Sequence, residues 1–221
     1  MKNKKIFILL IIAVVAIIFF IFILPKMSKS EKIGKNSSSQ EIVDYILNIN
    51  SYEAEIEVKT NSNKNSNKYI IKQQYIKDKV STQEVIEPSN IAGVKIIKNG
   101  NSLKLENTSL NLNNIIENYE YLSDNCLDLN CFIKDYLNND YASFEEKEGQ
   151  IIMKTTNSND NKYTQNKELF IDRNTGNPVK MEVTDINKNI TVYILYKEVK
   201  INSLNEKNVI AFSLYNMSKE V

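Results

Sequence analysis

Residues 52–59, with the sequence YEAEIEVK, alternate apolar and charged side chains without interruption. Successive side chains of a β-strand point to opposite faces, so this alternation predicts a strand with one buried face and one solvated, charged face. A sheet built from such strands must cover its apolar face with other elements.

Further strand patterns extend from this segment to the end of the chain. The polar run 61–67, NSNKNSN, predicts a turn, and the dipeptide Asn99-Gly100 between two apolar runs is a strong hairpin signal. In chain order, strands are predicted at 52–59, 68–77, 79–86, 94–98, 102–107, 141–146, 150–155, 163–172, 178–185, 190–200 and 209–214.

Two segments have helical periodicity. Ser38 and Glu41 form a capping box at a helix start, and apolar residues follow at positions 42, 45, 46 and 49. Between residues 110 and 140 the pattern is again helical, clearest at Leu129, Phe132, Ile133, Tyr136 and Leu137. We predict an α+β fold: a strongly curved antiparallel β-sheet, forming an incomplete barrel, with helices on its concave side. The predicted core includes Ile56, Val58, Ile96, Leu103, Phe132, Ile133, Phe170 and Val183.

The N-terminal run 6–24, IFILLIIAVVAIIFFIFIL, contains nineteen residues without a polar or charged side chain. As a helix it would span about 28 Å, the hydrocarbon thickness of a bilayer. No small-residue cleavage site follows it, and Lys2, Lys4 and Lys5 precede it, so we expect an uncleaved signal anchor with a cytoplasmic N-terminus. The predicted organisation is a cytoplasmic flank at 1–5, a transmembrane anchor at 6–24, a stalk at 25–37 and an extracytoplasmic domain at 38–221. The expected location is the cell membrane or a spore membrane.

Composition excludes several classes of function. The chain contains no histidine, which removes histidine-dependent triads, histidine-based zinc sites and the commonest general base. Its 28 basic and 27 acidic residues alternate along the chain, which argues against a nucleic-acid surface. No residue set points to catalysis, a cofactor or a metal, so we expect a protein that is not an enzyme.

The two cysteines, Cys126 and Cys131, are five positions apart. In an extracytoplasmic domain a disulfide is plausible. On one continuous helix their Cα atoms would lie about 8 Å apart, beyond bridging range. A disulfide therefore requires a turn before the helix, and two buried free thiols are the alternative.

Two segments resemble a known superfamily. Residues 87–100, EPSNIAGVKIIKNG, resemble LolA-type lipoprotein carriers, in which a strand ends in a proline, followed by a glycine, a strand and an Asn-Gly or Asp-Gly turn. Residues 169–183, LFIDRNTGNPVKMEV, resemble the hairpin that those carriers share with RseB-type periplasmic sensors. The resemblance implies the LolA/RseB-like fold.

Within that superfamily, the region after the anchor most resembles the clostridial germination lipoproteins of the GerS type, with 112–121 and 132–136 in similar register. That resemblance implies a role in spore cortex degradation and a protein partner such as a cell-wall amidase. The chain differs in its anchor, because a membrane helix stands where those proteins carry a lipidated cysteine. Two hypotheses follow: a non-catalytic binding partner of a cell-wall or spore-cortex enzyme, or a carrier or sensor of an apolar ligand such as a lipid or a lipoprotein acyl chain.

Overall fold

The computed structural model describes residues 33–62, 64–107, 109–117, 127–157 and 161–204. Within these ranges the chain forms helices α1 (Ser39–Leu47) and α2 (Leu129–Leu137). The strands are β1 (Ser51–Asn61), β2 (Ser66–Ile76), β3 (Val80–Glu87), β4 (Lys95–Asn99), β5 (Ser102–Asn107), β6 (Leu112–Ile116), β7 (Ser143–Lys147), β8 (Gln150–Thr156), β9 (Asn166–Asp172), β10 (Pro178–Thr184) and β11 (Ile190–Ile201).

All eleven strands belong to one antiparallel sheet in the order β6-β5-β4-β3-β2-β1-β11-β10-β9-β8-β7. The sheet is open, with β6 at one edge and β7 at the other. Strand β1 lies at its centre and pairs with β2 on one side and β11 on the other. A β-bulge between Glu55 and Ile56 interrupts the pairing of β1 with β11, and such bulges bend a strand and increase its twist.

Helix α1 begins where its capping box predicts. Glu41 donates its backbone N–H to the Ser38 hydroxyl at 3.2 Å, and the Glu41 carboxylate accepts from the Ser38 backbone N–H at 2.5 Å. These two bonds satisfy donors that the first turn of a helix otherwise leaves unpaired. The buried stripe of α1, which faces the sheet, consists of Ile42, Val43 and Ile46.

The core lies between the two helices and one face of the sheet, which we call the inner face. Tyr52, Ile56 and Val58 of β1 are at most 1% exposed, as the alternation in residues 52–59 predicts. The same cluster contains Leu129, Phe132, Ile133, Ile151, Met153, Leu169, Ile171, Met181, Val183 and Ile194. Each large apolar side chain buried in this way stabilises the fold by about 1.5–3 kcal/mol.

Strand β6 corrects the sequence prediction for residues 110–140. That region was expected to be helical, yet Leu112–Ile116 pairs with β5 as a strand and, within the described part of that region, only Leu129–Leu137 is helical. A five-residue segment is too short for periodicity to separate helix from strand. The predicted hairpin after β4 is confirmed, with Gly100 and Asn101 as its two central residues and Gly100 at φ +57°.

Three of the predicted core residues occupy other environments. Phe170 is buried, but on the outer face, the side opposite the helices, where the Lys180 ammonium lies 3.9 Å from its ring centroid. A register shift between Pro178 and Lys180 places Lys180 opposite Phe170. Ile96 and Leu103 are half-buried and lie outside the core cluster of the described residues. Burial of the other five predicted residues is confirmed.

The predicted anchor, residues 6–24, and the predicted strand 209–214 lie outside the described residues. In the part of the chain that the structure describes, neither helix is long and apolar enough to cross a membrane.

Candidate functional site

Strand β6 exposes an apolar sheet edge. All five of its residues are exposed, including Leu112 at 37%, Ile115 at 56% and Ile116 at 38%. The strand contains no charged residue and no proline. Natural proteins usually protect sheet edges with such residues, because an unprotected edge can pair with another chain.

The opposite edge, β7, is protected in the usual way. Its exposed residues include Glu145, Glu146 and Lys147. The Glu146 carboxylate accepts hydrogen bonds from the Ser39 hydroxyl of α1 and from Arg173 Nε, the latter at 3.3 Å. The two edges of the sheet therefore differ in chemistry, and β6 is the edge suited to docking.

The pairing of β6 with β5 determines which of its side chains share a face. Leu105 lies opposite Asn114 and Leu103 opposite Ile116, so these side chains continue the inner face. On the outer face, Ile115 lies opposite Lys104, whose ammonium is 2.8 Å from the Glu106 carboxylate. A strand added at this edge would contact apolar side chains on both faces. On the outer face it would also lie near the ion pair of Lys104 and Glu106.

The outer face between β11 and β5 is covered by a cross-strand row of charges. Neighbours in the row are paired residues of adjacent strands: Glu198, Glu55, Lys72, Glu84, Lys95 and Glu106. Lys95 Nζ lies 3.5 Å from the Glu84 carboxylate. Because acids and bases mostly alternate, the row forms no basic stripe of the kind that binds nucleic acid.

A buried carboxylate, Asp128, fixes the N-terminus of α2. It is the N-cap residue, 2% exposed, and accepts from the Asn130 backbone N–H at 2.9 Å. The Tyr52 hydroxyl of β1 donates to the same oxygen at 2.8 Å, and the Ser81 hydroxyl of β3 donates to the other oxygen at 3.4 Å. Gln73 Nε2 of β2 donates to the Leu127 carbonyl at 3.0 Å. Three strands are thus connected to the start of one helix.

The titration of this cluster reflects its burial. Burial raises the pKa of Asp128 above its usual value, although the hydrogen bonds from Tyr52, Asn130 and Ser81 act in the opposite direction. Burial, followed by the Asp128 charge, also raises the pKa of Tyr52 well above its ordinary value and that of Tyr75 to about 12. Hydrogen bonds from Tyr52, Ser81 and Gln73 end on Asp128 or Leu127, directly before α2, so the cluster fixes the start of that helix.

A second buried carboxylate holds the other half of α2. Asp135 is 5% exposed and its Oδ2 lies 2.6 Å from Nζ of Lys167 on β9, which is fully buried. The Thr155 hydroxyl of β8 donates to the Asp135 carbonyl at 3.2 Å. Helix α2 is therefore fixed to β1, β2 and β3 at its start and to β8 and β9 near its end.

Of the predicted cysteine pair, Cys131 lies in the first turn of α2 and is half-buried. Cys126 lies outside the described residues. Since α2 begins at Leu129, Cys126 precedes the helix in the chain, which is the arrangement that a disulfide requires. The disulfide stays a prediction.

Sequence reasoning missed both buried carboxylates. A signal for Asp128 was present, because an aspartate directly before an apolar helical stripe is a typical N-cap. A signal for Lys167 was also present, because it precedes Leu169 and Ile171 at the spacing of one strand face. In the described part of the chain, no three acidic or cysteine side chains are grouped so that they could hold a metal ion.

Comparisons with known proteins agree with this architecture. A family model described as sporulation protein YdcC-like matches residues 4–209. No curated protein sequence matches. Among solved structures, an uncharacterized conserved protein from Thermus thermophilus is 11% identical, with a TM-score of 0.51, and the match covers 79% of this chain and 93% of that one.

Two further matches bear on the predicted resemblance. A chain in the structure of the CwlD amidase from Clostridioides difficile in complex with the GerS lipoprotein is 26% identical, with a TM-score of 0.43, and the match covers 81% of this chain and 99% of that one. The LolA superfamily protein NE2245 from Nitrosomonas europaea is 14% identical, with a TM-score of 0.40, over 77% of this chain and 96% of that one. The predicted likeness to LolA superfamily proteins and to GerS is confirmed.

Proposed function

The chain belongs to the YdcC-like family of sporulation proteins, and from this premise we propose that it is a non-catalytic, membrane-anchored binding protein of the sporulating cell. Its partner is a cell-wall or spore-cortex enzyme that acts during sporulation or germination. The sequence resemblance to GerS-type germination proteins supports this class of partner, with a cell-wall amidase as its most specific form.

The observation that carries the proposal is the exposed edge strand β6. Within the described residues no strand pairs with its outer edge, and the backbone groups of that edge can accept a strand of the partner, which is a common mode of peptide recognition. Leu112, Ile115 and Ile116 supply apolar side chains on both faces of that added strand. The charged residues of β7 favour β6 over β7 as the docking edge.

The anchor belongs to the same proposal. The apolar run 6–24 holds the domain at the outer side of the membrane, with residues 1–5 in the cytoplasm. A protein fixed in this way cannot carry a ligand across an aqueous space. It can keep a soluble enzyme close to the membrane, which raises the local concentration of that enzyme at the wall.

The test compares two full-length variants in sporulating cells. Ile115→Lys places a charge on the docking edge, whereas Ile186→Lys makes the same change at an exposed isoleucine remote from it; the two side chains are 56% and 54% exposed. We expect tagged native protein and Ile186→Lys to co-purify with a cell-wall enzyme, and Ile115→Lys to recover several-fold less of it.

Two results would contradict the proposal. If the native chain recovers no envelope enzyme from sporulating cells, the protein is not such a partner. If both lysine variants recover the enzyme as well as the native chain does, β6 is not the docking edge. Equal amounts of each variant in the membrane fraction establish that any loss concerns binding.

The half-buried inner face of β3 to β5 favours the second candidate function, binding of an apolar ligand. Val85, Ile96, Leu103 and Leu105 are all half-buried there. A lipid or acyl chain could cover such a surface. Mass spectrometry of lipids extracted from the purified full-length chain tests this candidate, and an extract without stoichiometric lipid would reject it.

A further inference from the structure

A groove of about 510 Å³ with both polar and apolar surface lies at the far side of the sheet from β6, at the ends of β8, β9 and β10. We call it the Thr156 groove; it is lined by Asn139, Tyr141, Thr156, Asn166, Thr184 and Ile190, together with charged residues described below. No step of the proposed function uses it.

The floor of the Thr156 groove is a row of residues in register across four strands. Thr156 lies opposite Asn166, Asn166 opposite Thr184, and Thr184 opposite Ile190. With adjacent strands about 4.8 Å apart, the row is roughly 14 Å long. It presents hydroxyl, amide, hydroxyl and apolar groups in sequence, which is a surface for a long ligand that has both polar and apolar patches.

Tyr141 stands at the rim of the groove with 92% of its surface exposed. Its position is fixed through Asn139. The Asn139 side chain accepts the Tyr141 backbone N–H at 2.9 Å and donates to the hydroxyls of Thr155 and Thr156, each at 3.1 Å. The Tyr141 ring is therefore exposed to solvent, while its backbone is fixed to β8 through Asn139. The ring makes no contribution to the core at this position.

Most of the charges around the groove are already paired. Glu168 lies 3.9 Å from Lys154, which also contacts Glu145 at 2.8 Å. Glu182 lies 2.6 Å from Lys180. Among the charged residues that line the groove, Lys188 has no ion pair within the described residues. One lysine is too little charge for a polyanion, so the groove suits a ligand that is neutral or nearly so.

The strands beneath the groove exclude one class of ligand. β9 and β10 are each paired on both sides, and β8 pairs with β7 as far as Lys154. Within the described residues only Thr155 and Thr156 of β8 extend beyond β7, which is too short an edge for a peptide to add as a strand. Recognition must use the side chains. Asn166 illustrates what they offer: its Nδ2 contacts the Thr184 hydroxyl at 3.3 Å and the Asp185 carbonyl at 3.4 Å, while its Oδ1 remains an acceptor.

We propose that the Thr156 groove binds a neutral oligosaccharide. Sugar rings present hydroxyl groups at their edges, which match Thr156, Asn166 and Thr184, and apolar C–H faces, which match the Tyr141 ring and Ile190. The site is separate from the β6 edge, so the protein binds glycan at one end of its sheet and a protein partner at the other. A protein anchored beside the cell wall, as in the proposed function, has access to both the glycan and the protein partner.

The test uses the full chain in lipid nanodiscs, because many detergents carry sugar headgroups. The probe is the tetramer of N-acetylglucosamine, titrated by calorimetry. Tyr141→Ala is compared with Tyr163→Ala, which removes a tyrosine that is 65% exposed but does not line the groove. We expect native protein and Tyr163→Ala to bind with Kd values within about twofold, and Tyr141→Ala to bind at least about tenfold more weakly.

Three outcomes would overturn the inference. The native chain gives no binding heat with the tetramer, or the two tyrosine variants bind the tetramer equally well. In the third outcome, the native chain binds the stem peptide of peptidoglycan in the absence of its sugars. Co-sedimentation with purified peptidoglycan then distinguishes wall glycan from free sugar as the source. Because Ile115→Lys affects the partner and Tyr141→Ala the sugar, failure of one proposal leaves the other intact.

Discussion

Lys167 Nζ lies 2.6 Å from Asp135 Oδ2, and the two side chains are 0% and 5% exposed. This ion pair joins α2 to β9 in the interior of the domain. Transferring two charges from water is costly, so the pair is stable only because each charge compensates the other. Removing one partner takes away the compensation that the other buried charge receives from it.

We predict that Lys167→Met lowers the free energy of unfolding by about 3–5 kcal/mol. Methionine fills similar space but removes the ammonium that lies 2.6 Å from the Asp135 carboxylate. Urea unfolding followed by circular dichroism measures the loss. The double variant Lys167→Met with Asp135→Leu should recover most of it, because an apolar pair of similar volume has no charge to compensate. A single variant as stable as the native protein would show that the pair is not held together in solution.

Gly176 provides a second stability test, in the turn between β9 and β10. Its φ is +69°, and a Cβ at this position would lie 2.5 Å from Cγ2 of Ile33. We expect Gly176→Ala to destabilise the domain through both backbone strain and this clash, by about 2 kcal/mol or more in the same urea measurement.

Gly149 is the matched control for Gly176. Its φ is +74°, yet no atom lies within 4 Å of the position that a Cβ would occupy. Gly149→Ala therefore reports the backbone cost alone, about 1–2 kcal/mol. The difference between the two alanine variants measures the contact with Ile33. In an Ile33→Ala background, which removes Cγ2, the further loss caused by Gly176→Ala should fall close to that of Gly149→Ala. If both glycine variants lose the same stability, Ile33 does not pack against the turn.

The sequence predicts the sheet better than it predicts the buried polar groups. Alternation in residues 52–59, the capping box at Ser38 and Glu41, and the hairpin after β4 each depend on neighbouring residues, and all three are confirmed. The pairing of Lys167 with Asp135 joins residues 32 positions apart and depends on how α2 lies on the sheet. Phe170 faces outward because Leu169 and Ile171 on either side of it point into the core. The register shift that places Lys180 opposite Phe170 is encoded by no local pattern.

The same reasoning applies to the candidate sites. Strand β6 lies in the region 110–140, whose sequence pattern predicts helix, so the sequence does not indicate a strand there. Its exposure depends on its place at the end of the strand order. The Thr156 groove brings together residues 139 to 190, which share no local motif. Strand alternation assigns each of Thr156, Asn166 and Thr184 to one of the two faces of its own strand. Only the register of β8, β9 and β10 brings the three side chains into one row on the same face.

The cysteines allow a direct chemical test. We predict that Cys126 and Cys131 form a disulfide in protein isolated from the membrane of the producing cells, since the domain is expected to face an oxidising compartment. Alkylation without reduction should add no mass to the tryptic peptide 105–134, which contains both cysteines, whereas alkylation after reduction should add two labels to it. Labelling of either residue before reduction would indicate free thiols and favour the alternative that the sequence left open.

Asp128 predicts a specific dependence of stability on pH. Burial raises its pKa in the folded state above the usual 3.8, so the folded protein binds this proton more tightly than the unfolded chain does. Between the unfolded and folded pKa values, stability from this group therefore decreases as pH rises; it is fully present below the unfolded value. Acids such as Glu57 and Asp185, whose pKa values are lowered by hydrogen bonds, contribute in the opposite direction.

The Asp128→Asn variant isolates this contribution, because the other acids are common to both proteins. We expect the native protein to gain stability relative to Asp128→Asn as the pH falls from the folded pKa of Asp128 toward 3.8, and the difference to be constant above that range. Urea unfolding of both proteins from about pH 3 to about pH 7 measures it. A difference that shrinks as the pH falls would mean that Asp128 is stabilised as a carboxylate, with its hydrogen bonds from Tyr52 and Asn130 outweighing its burial.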